Sequence, residues 1–358
     1  MKGKLLWLLM GLLVLSLMAF SVGCQPAAAP TPAETPAETP EAPEPEPAAP
    51  EPSDRAVEFL SIVTGGTGGV YFPYGGGMST VINRHIPYLR ATAEVTGASV
   101  ENVRMITEGS AELALIMNDV AFQAYSGEGR FEDDPQPIRT VFQMYPHHYH
   151  VVVLEGSDVQ NIEDIRGKRV SIGAPGSGTE FKTDLVLTSL GIDYEEFTPF
   201  RLPFAETGDD LRDGQIAVGI WDVAAPTSSV MEITATRDIR LISFSDAEID
   251  KITSANPFYS RFEMAPGTYP GMDEPVVNPS VWNSVVCNKD YPEEYVYDIT
   301  KAMFENIDHL IAIHHFASFS TPENTVEHSV APLHPGAIRY LEEIGMEIPD
   351  RLIPPELQ

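Results

Sequence analysis

The stretch Val63-Thr64-Gly65-Gly66-Thr67-Gly68-Gly69-Val70-Tyr71 reads as the end of an apolar strand, a glycine-rich turn and the start of a helix, and Ile172-Gly173-Ala174-Pro175-Gly176-Ser177-Gly178-Thr179-Glu180 repeats that plan later in the chain. Glycines let the backbone approach a ligand closely, and a helix that follows offers unpaired N–H groups at its positive end. Both loops are suited to an anion. A third candidate is Thr96-Gly97-Ala98-Ser99-Val100-Glu101-Asn102, with Ser99 as N-cap and Asn102 on the first turn.

Working outward, apolar runs alternate with helical periodicity. Strands are expected at Val57 to Val63, Ala91 to Val95, Leu113 to Met117, Arg139 to Met144, Val151 to Leu154, Arg169 to Ile172, Ile216 to Ile220 and Arg240 to Ser243. Helices are expected at Met78 to Ile86, Val100 to Thr107, Thr179 to Leu190 and Tyr291 to Asn306. This is an α/β rhythm, and the order fits two α/β lobes with crossing connections. The first lobe is expected over residues 55–150, the second over 151–265, and a returning segment with C-terminal helices over 266–358.

Ahead of this body, Lys2 and Lys4 precede an apolar run from Leu5 to Phe20 and then Ser21-Val22-Gly23-Cys24. Residues 1–23 read as an export signal, too short in its apolar part to span a membrane. The small residue before Cys24 resembles a bacterial lipobox, which implies cleavage there and lipidation of Cys24. Over residues 24–54 the chain carries ten prolines, seven acids and no Lys or Arg. That composition cannot bury apolar surface and makes an extended tether, at ~3.1 Å per residue, holding the body away from a lipid anchor. The expected location is extracytoplasmic, in the periplasm or at the cell surface.

Over all 358 residues, 52 Asp and Glu face 22 Lys and Arg, for a formal net charge of -30. A phosphate backbone is not bound by such a surface, so nucleic acid is excluded as a partner. Cys24 and Cys287 have no neighbouring Cys or His at zinc-ligand spacing. Cys287 reads as a buried small hydrophobe.

Known catalytic and cofactor motifs do not fit. Tyr71 stands where a dinucleotide fingerprint needs its third glycine, no Lys follows Gly178 to make a P-loop, and Pro175 occupies the position where a nucleophile elbow needs glycine. Ser177 therefore reads as a hydroxyl donor. His147, His148 and His150 precede an apolar strand, and alternation puts His148 and His150 on one face; a hydrogen-bonding role at an interlobe crossing suits them better than metal ligation. His309, His314 and His315 lack helical ligand spacing. No metal or cofactor is expected.

With these loops in view, the chain resembles the TAXI family, the solute receptors of one class of TRAP transporters. The resemblance runs from about Phe59 to Gly345. It rests on Gly65 to Gly69 with Tyr71, Ser99 to Asn102, Gly109 with Ala111, Gly167 to Val170, Gly173 to Thr179, Pro266-Gly267-Thr268-Tyr269-Pro270, and Leu333-His334-Pro335-Gly336-Ala337 with Tyr340. It implies a two-lobed periplasmic-binding-protein fold with a ligand cleft between the lobes, capture of a small organic anion such as glutamate, glutamine or 2-oxoglutarate, and delivery to a TRAP-type membrane permease. Carried over residue by residue, ligand contacts are expected from Thr67, Gly68, Gly69, Tyr71, Ser99, Asn102, Ser177, Gly178 and Thr179, with Asn118 and Trp221 added. One departure stands out: Ile216-Ala217-Val218 follows Asp213-Gly214 where the family has an Ile-Asp-Ala string. None of the loops contains Lys or Arg, so the anion would be held by neutral donors and helix N-termini unless an Arg such as Arg104 reaches in. Two other readings use the same residues: a receptor for an inorganic oxyanion, and a secreted serine hydrolase built on Ser177.

Overall fold

The computed structural model describes residues 55–358; the expected export signal, Cys24 and the tether lie outside the described residues. The first lobe opens with β1 (Glu58–Val63), α1 (Tyr71–His85), β2 (Leu89–Glu94), α2 (Ser99–Thr107), β3 (Leu113–Met117), α3 (Asn118–Ser126) and β4 (Ile138–Gln143). The second lobe follows with β5 (His147–Leu154), β6 (Arg169–Ser171), α4 (Gly178–Leu190), β7 (Thr198–Phe200), α5 (Phe204–Arg212) and β8 (Val218–Val223). It is completed by α6 (Ser228–Thr234), β9 (Ile239–Leu241), α7 (Asp246–Ala255), β10 (Tyr259–Met264) and β11 (Val276–Val281). The chain then returns through β12 (Asn283–Asn288) and ends in α8 (Glu293–Glu305), α9 (Ile307–Ile311), α10 (Pro322–His328) and α11 (Pro335–Glu343).

Each lobe is built on one sheet. The first has strand order β2-β1-β3-β12-β4, and the second β10-β11-β5-β8-β6-β7 with β9 also on β5. β1, β2 and β3 run parallel, and β12 is inserted antiparallel between β3 and β4. The continuous apolar run Leu113–Met117 is explained by this position, because all five residues of β3 are buried on a central strand. The fold is thus a mixed α/β, two-lobed one.

Two strand passages join the lobes: Met144-Tyr145-Pro146 between β4 and β5, and Trp282 between β11 and β12. The first lies just before the expected boundary at 150, and the second well after the one at 265. Asn283 ties them together, its backbone O accepting from Met144 N (2.7 Å) and its Nδ2 donating to Tyr145 O (2.7 Å).

Two elements begin earlier than their periodicity suggests. α1 starts at Tyr71, not Met78, and carries Gly75-Gly76-Gly77 inside it. Glycine triplets weaken an isolated helix, but here they serve packing. A Cβ on Gly75 would stand 2.5 Å from Thr64 Cγ2, and one on Gly77 2.2 Å from Ile313 Cδ1. β5 starts at His147, not Val151, so all three histidines lie in the strand. Its alternation is regular: Tyr149, Val151 and Val153 join one apolar cluster and Val152 the other. Cys287 on β12 is fully buried, and burial pushes its thiol pKa up. Among the described residues no helix is long and apolar enough to cross a membrane.

Candidate ligand-binding site

A cavity of about 430 Å³ lies between the lobes. Its first-lobe wall comes from the β1–α1 loop, the β2–α2 loop and Met117 at the end of β3; its second-lobe wall comes from the β6–α4 loop, Phe204 and Val223. No Asp, Glu, Lys or Arg is among the described residues that line it. Polar atoms are supplied by hydroxyls and by backbone at helix starts.

The donors are arranged by local capping chemistry. Ser177 is the N-cap of α4, its Oγ accepting from Glu180 N at 3.0 Å. Thr179 Oγ1 accepts from Asp222 N at 3.4 Å. Each hydroxyl oxygen is thereby held by a backbone N–H, leaving its own proton to donate into the cavity. The N–H groups of Gly178 and Thr179, at the start of α4, have no acceptor among the described residues. The same is true of Tyr71 N at the start of α1. Two helix N-termini, one per lobe, therefore face the cavity with unpaired donors.

The α2 N-terminus is used differently: Ser99 is not its cap as expected, since Ala98 stands at the N-cap and Ser99 Oγ accepts from Met117 N at 3.2 Å instead. Val100 N and Glu101 N donate to Gly176 O of the second lobe at 3.2 and 3.3 Å. At the opposite edge, Gly68 O of the first lobe accepts from Thr227 Oγ1 (2.9 Å) and Ser229 Oγ (2.8 Å) where α6 begins. Each lobe's glycine-rich loop thus places a carbonyl on a helix start of the other. Arg130 beyond α3 and Glu180 on α4 add an ion pair at 3.4 Å. Arg201, at 2.6 Å, shares Glu180; although burial pushes that carboxyl upward, these cations and the Gly176 N–H hold its pKa below the usual range. The lobes are closed on one another.

The floor is a buried polar cluster. His147 lines the cavity at 4 % exposure, its ring packed against Tyr71 and Tyr145 with centroids 4.9 and 5.7 Å apart. Behind it Lys182 Nζ donates to Asp222 Oδ1 at 2.8 Å and to Pro279 O at 3.1 Å. Asp119 of the first lobe accepts from Tyr259 OH of the second at 2.8 Å. Burial pushes the Asp119 carboxyl up to about 7, against the pull of Lys182 and the Tyr259 hydroxyl. Burial likewise raises Asp222, and burial together with the Lys182 charge lowers His147 well below an ordinary histidine.

Of the residues expected from sequence, the cavity brings together Gly69, Tyr71, Ser99, Ser177, Gly178 and Thr179. Five others stand elsewhere. Gly68 is at the interlobe contact rather than the lining, and Thr67 is exposed and outside the lining. Asn102 is fully buried and its Nδ2 donates to Thr64 O (2.7 Å) and Leu115 O (2.8 Å), binding the β1 and β3 ends to α2. Asn118 donates to Gln143 Oε1 (3.1 Å) and His328 O (2.9 Å) beside the strand passages. Trp221 is fully buried behind Phe204, its indole N–H donating to Ser229 Oγ at 3.1 Å. Arg104 does not reach in; it lies exposed beside Glu108 on α2. The Tyr71 hydroxyl points to Asn283 Oδ1 at the strand passage, beside the Ser99 hydroxyl.

Sequence reasoning missed His147, Phe204 and Val223 as lining residues. For His147 the signal was present in the alternation of β5 once the strand is extended back by four residues. Phe204 follows a proline in a loop, and nothing local marks it as reaching across to Gly69.

The family model described as the NMT1-like family matches residues 62–345. Among solved structures, a putative L-cystine ABC transporter from Listeria monocytogenes is 12% identical over 74% of this chain and 99% of its own, with TM-score 0.48. A probable amino-acid ABC transporter extracellular-binding protein from Bacillus subtilis is 14% identical over 72% and 96%, with TM-score 0.42. The periplasmic aliphatic sulphonate binding protein SsuA from Escherichia coli is 13% identical over 81% and 91%, with TM-score 0.41. Likenesses of this size bear on neither ligand nor partner.

Proposed function

We propose, from the premise that the chain belongs to the NMT1-like family, that it is an extracytoplasmic solute receptor that captures a small carboxylate and hands it to a membrane permease. The observation that carries this reading is the cavity between closed lobes, into which each lobe aims unpaired N–H groups of a helix N-terminus, with the Ser177 and Thr179 hydroxyls beside them. Ligand contacts are assigned to Gly69, Tyr71, Ser99, Ser177, Gly178 and Thr179. The proposed ligands are glutamate, glutamine or 2-oxoglutarate, the proposed permease is of the TRAP type, as the TAXI resemblance implies, and lipidated Cys24 is the proposed anchor.

The apolar lining favours an organic anion over an inorganic one. Phosphate or sulfate needs donors on every side, whereas Val70, Met117, Phe204 and Val223 offer carbon surface for a short chain. For a hydrolase, Ser177 would need a base; its Oγ is instead the α4 cap, and both ring nitrogens of His147 lack any partner. The test is calorimetric titration of the purified chain with L-glutamate, L-glutamine, 2-oxoglutarate, phosphate and sulfate, beside an esterase assay. A carboxylate at 100 times its Kd should add about 2.7 kcal/mol of stability, read as a melting shift. Turnover of an ester that Ser177→Ala abolishes would replace this reading by the hydrolase one.

A further inference from the structure

His147 is a buried polar group with nothing to bond. It lines the cavity, it is 4 % exposed, and neither ring nitrogen has a hydrogen-bond partner among the described residues. Native interiors leave few such groups, and one that faces a cavity marks the place of a missing partner. Its Nδ1 is turned to Asp222 Oδ2 at 3.9 Å, an oxygen that is also fully buried and without a partner. A small rotation of the ring closes that gap with an Nδ1–H donor. Nε2 is then the ring nitrogen still without a partner among the described residues.

The groups that face the ring come from several elements. Asp222 stands on β8, Lys182 on α4, Tyr71 on α1 and Tyr145 in the strand passage, while His150 on β5 and His314 beyond α9 act from further off. Asp119 on α3 adds its carboxyl to the same cluster through Lys182 and Tyr259. Lys182 is already committed to Asp222 Oδ1, so among the described residues that line the cavity no cationic side chain is free to meet a carboxylate entering here. In the empty site, burial and Lys182 keep the imidazole neutral.

Resting on the carboxylate reading of this cavity, we infer that His147 is a ligand-contacting residue and that the carboxylate is captured together with one proton. That proton comes from solvent and adds to Nε2, so the imidazolium lies between the ligand carboxylate and Asp222 Oδ2. No bond other than N–H is made, and the added positive charge offsets the negative charge of the ligand in a site whose described lining holds no Lys or Arg. The sign of the pH dependence follows. A group neutral in the free protein and protonated in the complex makes binding tighter as pH falls, and affinity drops by up to tenfold per pH unit while the complex holds one proton more than its parts.

The test is calorimetric titration of the full chain at pH 7.0 and 8.0 with 2-oxoglutarate, L-glutamate and L-glutamine, each in triethanolamine and in Tris, whose ionisation heats differ. For the carboxylate that binds, the expected result is uptake of close to one proton per site and a Kd that rises severalfold, up to tenfold, from pH 7.0 to 8.0. In His147→Gln, Kd should rise at least tenfold and both the proton uptake and the pH slope should vanish. Saturable binding with no proton uptake by the unaltered chain overturns this inference and leaves the carboxylate reading intact. Binding by none of the three carboxylates overturns that reading and this inference with it. Because the proton count is taken on the unaltered chain, a His147→Gln protein that failed to fold would not obscure the outcome.

Discussion

In the second-lobe loop Gly173 and Gly176 hold φ of +99° and +72°, in the left-handed region, whereas none of Gly65, Gly66, Gly68 and Gly69 in the first-lobe loop does. Two of the first-lobe glycines, Gly68 and Gly69, are required by what comes near them. A Cβ on Gly68 would lie 3.1 Å from Ala205 N and 3.2 Å from Ser229 Cβ, and one on Gly69 3.1 Å from the Phe204 ring. All three neighbours belong to the other lobe. So glycine serves two ends in these loops: Gly173 and Gly176 make a turn within their own lobe, whereas Gly68 and Gly69, and also Gly178, whose Cβ would stand 2.2 Å from Met117 Sδ, let the lobes meet.

That contrast can be broken by substitution. Gly173→Ala forces a Cβ into a left-handed backbone and to 2.8 Å from Ser177 Oγ and Thr179 Cβ. It should cost about 2–4 kcal/mol of stability with or without ligand, read by denaturant or thermal unfolding. Gly69→Ala, whose added carbon meets the other lobe's Phe204 ring, should cost less ligand-free stability than Gly173→Ala and weaken carboxylate binding about tenfold, roughly 1.4 kcal/mol. If instead it lowers ligand-free stability as much as Gly173→Ala, the first loop has a local role as well and the contrast fails.

Ser177→Ala sharpens the comparison, since the second loop serves both turn and ligand. Losing the α4 cap should cost about 1 kcal/mol of ligand-free stability. Combined with Thr179→Ala it should remove a further 1–3 kcal/mol of binding energy per lost bond to a charged ligand, measured by titration. Gly66→Ala is the smallest change: nothing lies within 4 Å of the added carbon and φ is not positive, so stability and affinity should both move by less than about 0.5 kcal/mol.

The α/β order, the three loops and the buried Cys287 were legible in the residues because each depends on neighbours in the chain: strand alternation, helix periodicity and turn chemistry act over a few residues. The readings that moved are those where a distant partner outweighs local preference. Gly75 to Gly77 look like a break and lie within α1, because β1 and the segment after α9 press against that face. His147 looks like a loop residue before a strand, yet its pairing opposite Val281 of β11 makes it the first residue of β5. Trp221 looks like a pocket aromatic and is sealed behind Phe204, since the space over Gly219 admits the indole and a Cβ there would stand 2.4 Å from it. Which donors face a ligand is likewise a property of two lobes brought together: Gly176 O occupies the α2 N-terminus and leaves that of α4 open, a choice fixed by interlobe distances of about 3 Å that no stretch of either loop encodes alone.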